Sequence, residues 1–158
     1  MECLYMGSYN ASGKGACGGT GAGPWVMADL ESGIWACADR PGVNPKTVSM
    51  PYTFVTGMVK GFGDVAPYGR WALKGGNAAA GPLDTQFDGP RPAQAPGRAP
   101  YYPMRLTGSI ILGIGGDNSD GGEGQFFEGV VVKGASTDAA DDAVQADITS
   151  VYSRMSLL

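Results

Sequence analysis

The run GPWVMADLE, residues Gly23–Glu31, decides the fold more than any other part of the sequence. Apolar side chains occupy consecutive positions from Trp25 to Ala28, with no alternation of apolar and polar residues. A short apolar run of this kind is typical of a strand buried on both faces. Glycine-rich sequence precedes the run, and Asp29 and Glu31 lie at its end. We therefore predict a core strand that ends in carboxylates.

Glycine and proline indicate the fold class. The 158 residues include 27 glycines and 11 prolines, without a collagen-type repeat. Inside a helix each glycine costs about 1 kcal/mol and each proline about 3 kcal/mol, so long helices are disfavoured. Apolar residues make up 43% of the chain, enough to build a core. The composition predicts a turn-rich all-β fold, with residues 1–158 forming a single domain.

Further elements follow from local patterns. Runs of aromatic and β-branched residues predict strands at residues 52–60, 70–74, 107–114 and 125–133, the second ended by Gly75 and Gly76. The proline-rich residues 86–103 predict an extended surface loop. One helix follows near the C-terminus, capped by Ser136 or Thr137. Its predicted apolar face consists of Ala140, Val144, Ile148, Val151 and Met155.

Several classes of function are disfavoured by composition. The chain has no histidine, which excludes Ser-His-Asp and Cys-His catalysis and most zinc sites. Its net charge is −4 and its basic residues are scattered, so nucleic-acid binding is not expected. No apolar run reaches the roughly 18 residues of a membrane span, and Met1–Leu4 lacks the layout of a signal peptide. We expect no membrane partner, no metal and no cofactor.

The three cysteines leave two arrangements open. Cys3, Cys17 and Cys37 have no CxxC spacing. One disulfide with one thiol, or three thiols, are both compatible with this number.

Two acids stand out by their context. Glu31 follows one strongly apolar strand, and Asp117 follows another after a pair of glycines. A carboxylate at the end of a core strand is held rigidly and stays reachable from a cleft. A retaining glycosidase needs two such acids about 5–5.5 Å apart. Acids at strand ends also serve as turn or capping residues, and Asp117-Asn118 suits an Asx turn.

Other residues admit a functional and a structural interpretation. Asp29 is either a substrate ligand or a polar residue on the outer face of its strand. Glu128 fits an outward-facing strand residue better than a third catalytic acid. Each of Trp25, Trp35 and Trp71 fits core packing better than stacking on a sugar ring.

Longer motifs carry a family resemblance. They occur in a fixed order: GPWVMADLE at 23–31, WALKGGNA at 71–78, IILGIGGDNS at 110–119, FEGV at 127–130 and VQA at 144–146. Together they resemble the α-L-arabinofuranosidase B catalytic domain, glycoside hydrolase family 54, over nearly the whole chain. The match covers the second half of that domain, without its N-terminal strands, its adjacent Cys-Cys disulfide and the β-trefoil that usually follows.

The resemblance implies a fold, an activity and roles for five residues. The fold is a concanavalin-like or jelly-roll β-sandwich, incomplete if only half is present. The activity is retaining release of terminal α-L-arabinofuranose from arabinan or arabinoxylan by a secreted enzyme. By correspondence of motifs, Glu31 is the nucleophile and Asp117 the acid/base, while Asp29, Gly116 and Ser32 contact the substrate. Ser32 replaces an asparagine common in the family, and the cysteines do not match family cysteines.

Other functions remain open at this stage. A sandwich of this type also suits a non-catalytic carbohydrate-binding module, since fold alone does not give function. A structural glycine-rich protein is a third reading, which the ordered motifs disfavour. An incomplete sandwich would expose strand edges and a core face, and we then expect self-association.

Overall fold

Nine strands and one helix make up the described part of the computed structural model, which comprises residues 3–8, 17–30, 34–38, 42–62, 69–92, 111–113 and 124–155. The elements are β1 (Cys3–Gly7), β2 (Cys17–Gly19), β3 (Trp25–Asp29), β4 (Ile34–Trp35), β5 (Gly42–Asn44), β6 (Val55–Phe62), β7 (Arg70–Asn77), β8 (Asp84–Pro90), β9 (Ile111–Gly113) and α1 (Asp138–Met155).

The strands form three sheets. A four-stranded sheet has the order β4-β3-β1-β9, a three-stranded sheet the order β6-β7-β8, and β2 pairs with β5. Pairing is antiparallel except in β1–β9 and β2–β5, which are parallel. One hydrophobic cluster joins the two larger sheets, with Val26 and Ala28 of β3 against Trp71 and Leu73 of β7. The predicted all-β sandwich with a C-terminal helix is confirmed.

Strand β3 is buried on both faces, as its sequence predicts. Val26 and Ala28 lie inside the sandwich, while Trp25 and Met27 belong to a second cluster on the opposite face of the sheet. That second cluster also contains Tyr5 of β1 and residues of β2 and β4. Because both faces are covered, all five residues of β3 are buried.

Strand β7 runs through Gly75 and Gly76, although their composition predicts its end there. It continues to Asn77, paired with β6 on one side and with β8 on the other. A Cβ at Gly75 would lie 2.6 Å from Gln86 Nε2 and 2.7 Å from the Met50 methyl carbon. The glycines therefore permit close packing within the sheet and do not terminate it.

Two further predictions are wrong. Residues 84–90 form strand β8 and not the loop predicted from residue 86 onward, because Asp84–Pro90 pairs with β7 and buries Gln86. The rest of the predicted loop, from residue 93, lies outside the described residues. Residues 125–133 are not a strand: they pair with no strand in the described ranges, and Phe126 and Val130 are 67% and 74% exposed. Strand propensity alone cannot replace a neighbouring strand.

Helix α1 begins where expected but buries a different face. The Thr137 side chain caps it by accepting a hydrogen bond from the Ala140 amide, 3.2 Å away. Its buried residues are Asp141, Gln145 and Tyr152, while most of the predicted apolar face is exposed, with Val144, Val151 and Met155 42–51% accessible. The predicted apolar face is therefore wrong.

A buried ion cluster explains this choice of face. The Asp141 carboxylate lies 2.7 Å from both Lys60 Nζ on β6 and Lys74 Nζ on β7. Asp138 lies 2.7 Å from Lys74, and the Ser136 hydroxyl donates to Asp141. Buried charges require partners of opposite sign, so the lysines on the outer face of the sheet bring the acidic face of the helix inward.

Candidate active site

Asp29 is the predicted site residue that the described ranges contain. It is the last residue of β3, in register with Cys3 of β1 and Ile34 of β4. Successive side chains of a strand point to opposite faces of the sheet. Asp29 therefore lies on the same face as Trp25 and Met27, whereas Ala28 lies on the face toward the sandwich interior. Only 1% of Asp29 is exposed, so it is not a solvated surface acid. Packing on both faces of β3 fixes the backbone that carries it.

The other predicted site residues lie outside the described ranges. Glu31 and Ser32 fall in sequence between Asp29, which ends β3, and Ile34, which begins β4. Gly116 and Asp117 follow Gly113, the last residue of β9. The roles of all four stay predictions. The strands that flank them belong to one sheet, separated by β1.

The structural and functional interpretations of the three tryptophans and of Glu128 can be compared with the structure. Trp25, Trp35 and Trp71 are 3%, 1% and 0% exposed and belong to the two core clusters, in agreement with the core-packing interpretation. Glu128 is exposed and accepts a hydrogen bond from the Tyr152 hydroxyl of α1. Burial, followed by this hydrogen bond, raises the pKa of Tyr152.

The cysteine pairing, which the sequence leaves open, is now defined. Cys17 of β2 and Cys37, two residues after β4, form a disulfide with Cα atoms 5.6 Å apart. Cys3 stays a buried thiol. The arrangement with one disulfide is therefore confirmed, and the bond encloses β3 and β4. Sequence offered no spacing signal for this pairing.

The ion cluster under α1 joins two buried lysines to two aspartates, and sequence reasoning missed it. Burial opposes ionisation of Asp141, but hydrogen bonds from Lys60, Lys74 and Ser136 outweigh it and lower the pKa of this carboxyl. The hydrogen bond from Lys74 lowers the pKa of Asp138. Burial also opposes the charge on Lys74, yet its two acidic partners raise its pKa. All these groups are paired, which suits helix attachment better than catalysis.

A separate cleft of about 350 Å³ lies between the β5 turn and the edge strand β8. Its lining includes Cys37, Pro45 and Phe87, and among the described residues that line it Asp29 is absent. No helix within the described ranges is both long enough and apolar enough to cross a bilayer.

Comparison with known proteins gives the family. Residues 1–153 match the family model described as "Alpha-L-arabinofuranosidase B, catalytic". The chain is 46% identical over 150 residues to an "Arabinofuranosidase/B-xylosidase" of Trichoderma koningii, covering 95% of this chain and 27% of the relative. It is 45% identical over 159 residues to "Alpha-L-arabinofuranosidase B" of Emericella nidulans, covering 100% of this chain and 29% of the relative. The chain thus spans little more than a quarter of the length of these relatives.

Solved structures agree with the sequence match. A glutamate-to-glutamine mutant of a glycoside hydrolase family 54 α-L-arabinofuranosidase, soaked with 4-nitrophenyl α-L-arabinofuranoside, matches with a TM-score of 0.75 and 41% identity, over 95% of this chain and 28% of that one. An arabinofuranosidase complexed with arabinofuranosyl-α-1,2-xylobiose matches with a TM-score of 0.72 and 39% identity, over the same shares. The chain therefore belongs to the α-L-arabinofuranosidase B catalytic-domain family.

Proposed function

We propose that this chain carries the catalytic acids of a retaining glycoside hydrolase that releases terminal α-L-arabinofuranose from arabinan- or arabinoxylan-type hemicellulose. The observation that carries the proposal is the family match across residues 1–153. It is supported by relatives named α-L-arabinofuranosidase and by a matching structure soaked with an arabinofuranoside. An arabinose-containing polysaccharide or oligosaccharide is the proposed substrate.

The proposed mechanism needs two carboxyl groups. Glu31 attacks the anomeric carbon of arabinofuranose while Asp117 donates a proton to the departing glycosidic oxygen. Asp117 then takes a proton from a water molecule, which attacks the glycosyl-enzyme and releases arabinose with Glu31 restored. Two displacements at one carbon retain the anomeric configuration. No histidine is required, which suits a chain that has none.

Three residues are proposed to hold the sugar. Asp29 accepts hydrogen bonds from sugar hydroxyls, and its burial strengthens such bonds because little water competes for the carboxylate. Ser32 adds a hydroxyl next to the nucleophile. Gly116, without a side chain, lets the backbone beside Asp117 approach the ring closely.

Sheet topology sets a condition for the acid pair. Strand β9 runs antiparallel to β3, so the two leave the sheet at opposite ends. Gly113 is level with Met27, because both pair with Tyr5 of β1. Met27 lies two residues before Asp29, so Gly113 is about 7 Å from Asp29 along the strand direction. It is also two strands away, which adds about 10 Å across the sheet. The four residues that end at Asp117 span up to about 13 Å. A retaining pair of Glu31 and Asp117 requires the segments after β3 and β9 to bring the two carboxyl groups to about 5–5.5 Å of each other.

The disulfide supports an extracellular setting. Bonds such as Cys17–Cys37 persist in oxidising environments and are rare in reducing ones. A polymeric substrate such as arabinoxylan is also met outside the cell. We therefore propose secretion.

Hydrolysis of 4-nitrophenyl α-L-arabinofuranoside by the purified chain tests the proposal. We expect Glu31→Gln and Asp117→Asn each to lower kcat at least about 100-fold, because each removes a group that acts on the reacting atoms. Asp142→Asn, a change of an exposed acid on α1, is the matched control and should keep wild-type kcat. Proton NMR of the first product formed should show the α-anomer.

The outcomes separate the alternatives. Activity that survives both substitutions would contradict the assignment of Glu31 and Asp117. Inversion at the anomeric carbon would contradict the proposed mechanism. Measurable affinity for arabinan by a folded chain that hydrolyses nothing would favour the carbohydrate-binding module instead.

A further inference from the structure

The Cys17–Cys37 disulfide closes a loop around the proposed catalytic hairpin. The bonded residues are 20 apart in sequence, and the enclosed stretch contains β3, β4 and, in sequence, Asp29 and Glu31. The bond therefore joins strand β2 to the segment directly after the return strand of this hairpin.

The return strand β4 has few other constraints from the sheet. Its two residues, Ile34 and Trp35, pair with Asp29 and Ala28 and with no further residue of β3. In the order β4-β3-β1-β9 it is an edge strand. Two ladder positions restrain a strand weakly compared with the five that join β1 to β3.

The segment after β4 is instead held from the side of β2 and β5. The Ala36 amide donates a hydrogen bond of 2.8 Å to the Cys17 carbonyl oxygen. The Asn44 side-chain amide donates to the Ala36 carbonyl at 2.7 Å and to the Gln86 carbonyl at 3.0 Å. The disulfide thus belongs to a connection that runs from β4 through β2 and β5 to the edge strand β8.

The same bond lies on the face of β3 that carries Asp29. Cys17 packs in the cluster with Trp25, Met27, Ile34 and Ala36, and Cys37 is packed against it. Strands β2 and β5 have three residues each, so their parallel pair is too short to cover this face stably by itself. A covalent link supplies the restraint that so short a sheet lacks.

We propose that the Cys17–Cys37 disulfide is a positioning device: it fixes strands β3 and β4, and with them Asp29 at the end of β3, two residues before the proposed nucleophile Glu31 in the sequence. This inference rests on the proposed function for its catalytic consequence. The two cysteines touch no reacting atom in this proposal and act through the hairpin alone.

The test uses the full chain, oxidised or reduced with dithiothreitol, and the variant Cys17→Ala/Cys37→Ala. Amide hydrogen exchange is measured in the hairpin, residues 25–29 and 34–38, and in a reference pair of strands, residues 55–62 and 70–77. We expect exchange in the hairpin to accelerate at least about tenfold in the double variant, with less than about twofold change in the reference strands.

Kinetics give the second readout. For 4-nitrophenyl α-L-arabinofuranoside we expect kcat of the double variant to fall about 10- to 100-fold, since displacement by about 1 Å can cost 10²-fold in rate, and KM to rise because Asp29 is proposed to hold the sugar. Dithiothreitol should lower kcat of the wild type reversibly and leave the double variant unaffected. If the double variant fails to fold, exchange in the wild type with and without dithiothreitol replaces it.

Two results would overturn the inference. One is hydrogen exchange in the hairpin that does not change when the bond is lost. Acceleration of equal size in the reference strands counts equally, because it would show that the disulfide stabilises the whole chain and not the hairpin in particular. The other is an active wild type whose kcat is insensitive to loss of the bond. An oxidised wild type without any hydrolysis would instead contradict the proposed function, and hydrogen exchange would then decide the structural part alone.

Discussion

The buried carboxylate of Asp141 contacts Lys60, Lys74 and Ser136, and it compensates the charge of both lysines. Its side chain is fully buried, and those of Lys60 and Lys74 are 6% and 5% exposed. Each lysine contacts the Asp141 carboxylate at 2.7 Å, and Asp138, the other acid that both lysines contact, is largely exposed. Removing the charge of Asp141 therefore leaves the two buried lysines with only the exposed Asp138 as a partner of opposite charge among the described residues.

We predict that Asp141→Asn lowers the free energy of unfolding by about 3 kcal/mol, since breaking a buried pair leaves an uncompensated charge. Urea denaturation followed by circular dichroism measures this. Asp142→Asn, a change of the exposed neighbour, should stay within about 0.5 kcal/mol of the wild type. Equal effects of the two variants would show that the cluster contributes no more than a surface acid.

The same residues predict a dependence of stability on pH. The folded pKa values of Asp138 and Asp141 lie below the ordinary 3.8, so their contribution is complete above that value and is lost as the pH falls through the folded pKa values. The folded pKa of Lys74 lies above 10.5, so its contribution is lost only in stronger alkali. Unfolding of wild type and Asp141→Asn between pH 7 and pH 2 should show a difference that shrinks below about pH 4. A difference that stays constant throughout would contradict the assigned ionisation states.

At the scale of elements, helix α1 shows how charge can override an apolar pattern. Gln145, one turn after Asp141, donates hydrogen bonds of 2.9 Å to the Asn77 carbonyl and 3.1 Å to the Gly81 carbonyl. Tyr152 continues the same face and packs against Phe54, with ring centroids 5.0 Å apart. Val144 lies beside this face and is exposed.

We predict that Gln145→Ala lowers the free energy of unfolding by about 2 kcal/mol, because two carbonyl groups lose their donor. Val144→Ala is the matched control within the same turn, and its effect should stay below about 0.5 kcal/mol. Thermal or urea unfolding of both variants gives the comparison. If Val144→Ala lowered the free energy of unfolding more than Gln145→Ala, the apolar face predicted from the sequence would be the one that stabilises the helix.

Predictability differs between elements for a physical reason. Strand β3 could be predicted because an apolar run of its length has to be covered on both sides, wherever its neighbours come from. Residues 125–133 have the same strand-forming composition, yet a strand also needs a partner with free hydrogen-bonding groups, which no short pattern reveals. The face of α1 depended on Lys60 and Lys74, 78 and 64 residues before Asp138. Such distant partners cannot be read from helical periodicity.

In the candidate site, too, some features follow from local sequence and others depend on distant partners. Apolar runs that end in acids predict carboxylates at the ends of core strands, and the buried position of Asp29 at the end of β3 agrees with this. The opposite directions of β3 and β9 depend on their separate pairing with β1, which local sequence does not contain. The pairing of Cys17 with Cys37 follows likewise from the path of β2 and β4.

At the scale of the whole molecule, an apolar surface is left uncovered in the described ranges. Residues 126–132 include two phenylalanines and three valines that are 54–74% exposed. The ring of Phe127 contacts Phe54 at 5.4 Å, which places this segment next to the outer end of α1, where Val151 and Met155 are also exposed.

We predict that residues 126–132 make the chain self-associate, because burial of their exposed apolar side chains against a second copy lowers the free energy. Sedimentation velocity between about 1 and 100 µM should show the weight-average mass rising with concentration, a range typical of weak interfaces. Val130→Lys/Val132→Lys should shift the sample toward monomer, since two added charges on each copy oppose burial of the patch. Val43→Lys, a similarly exposed valine near the separate cleft, is the control and should associate like the wild type. Association that persists in the double variant would place the contact elsewhere, and a wild type that stays monomeric throughout would show that the exposed valines are tolerated in water.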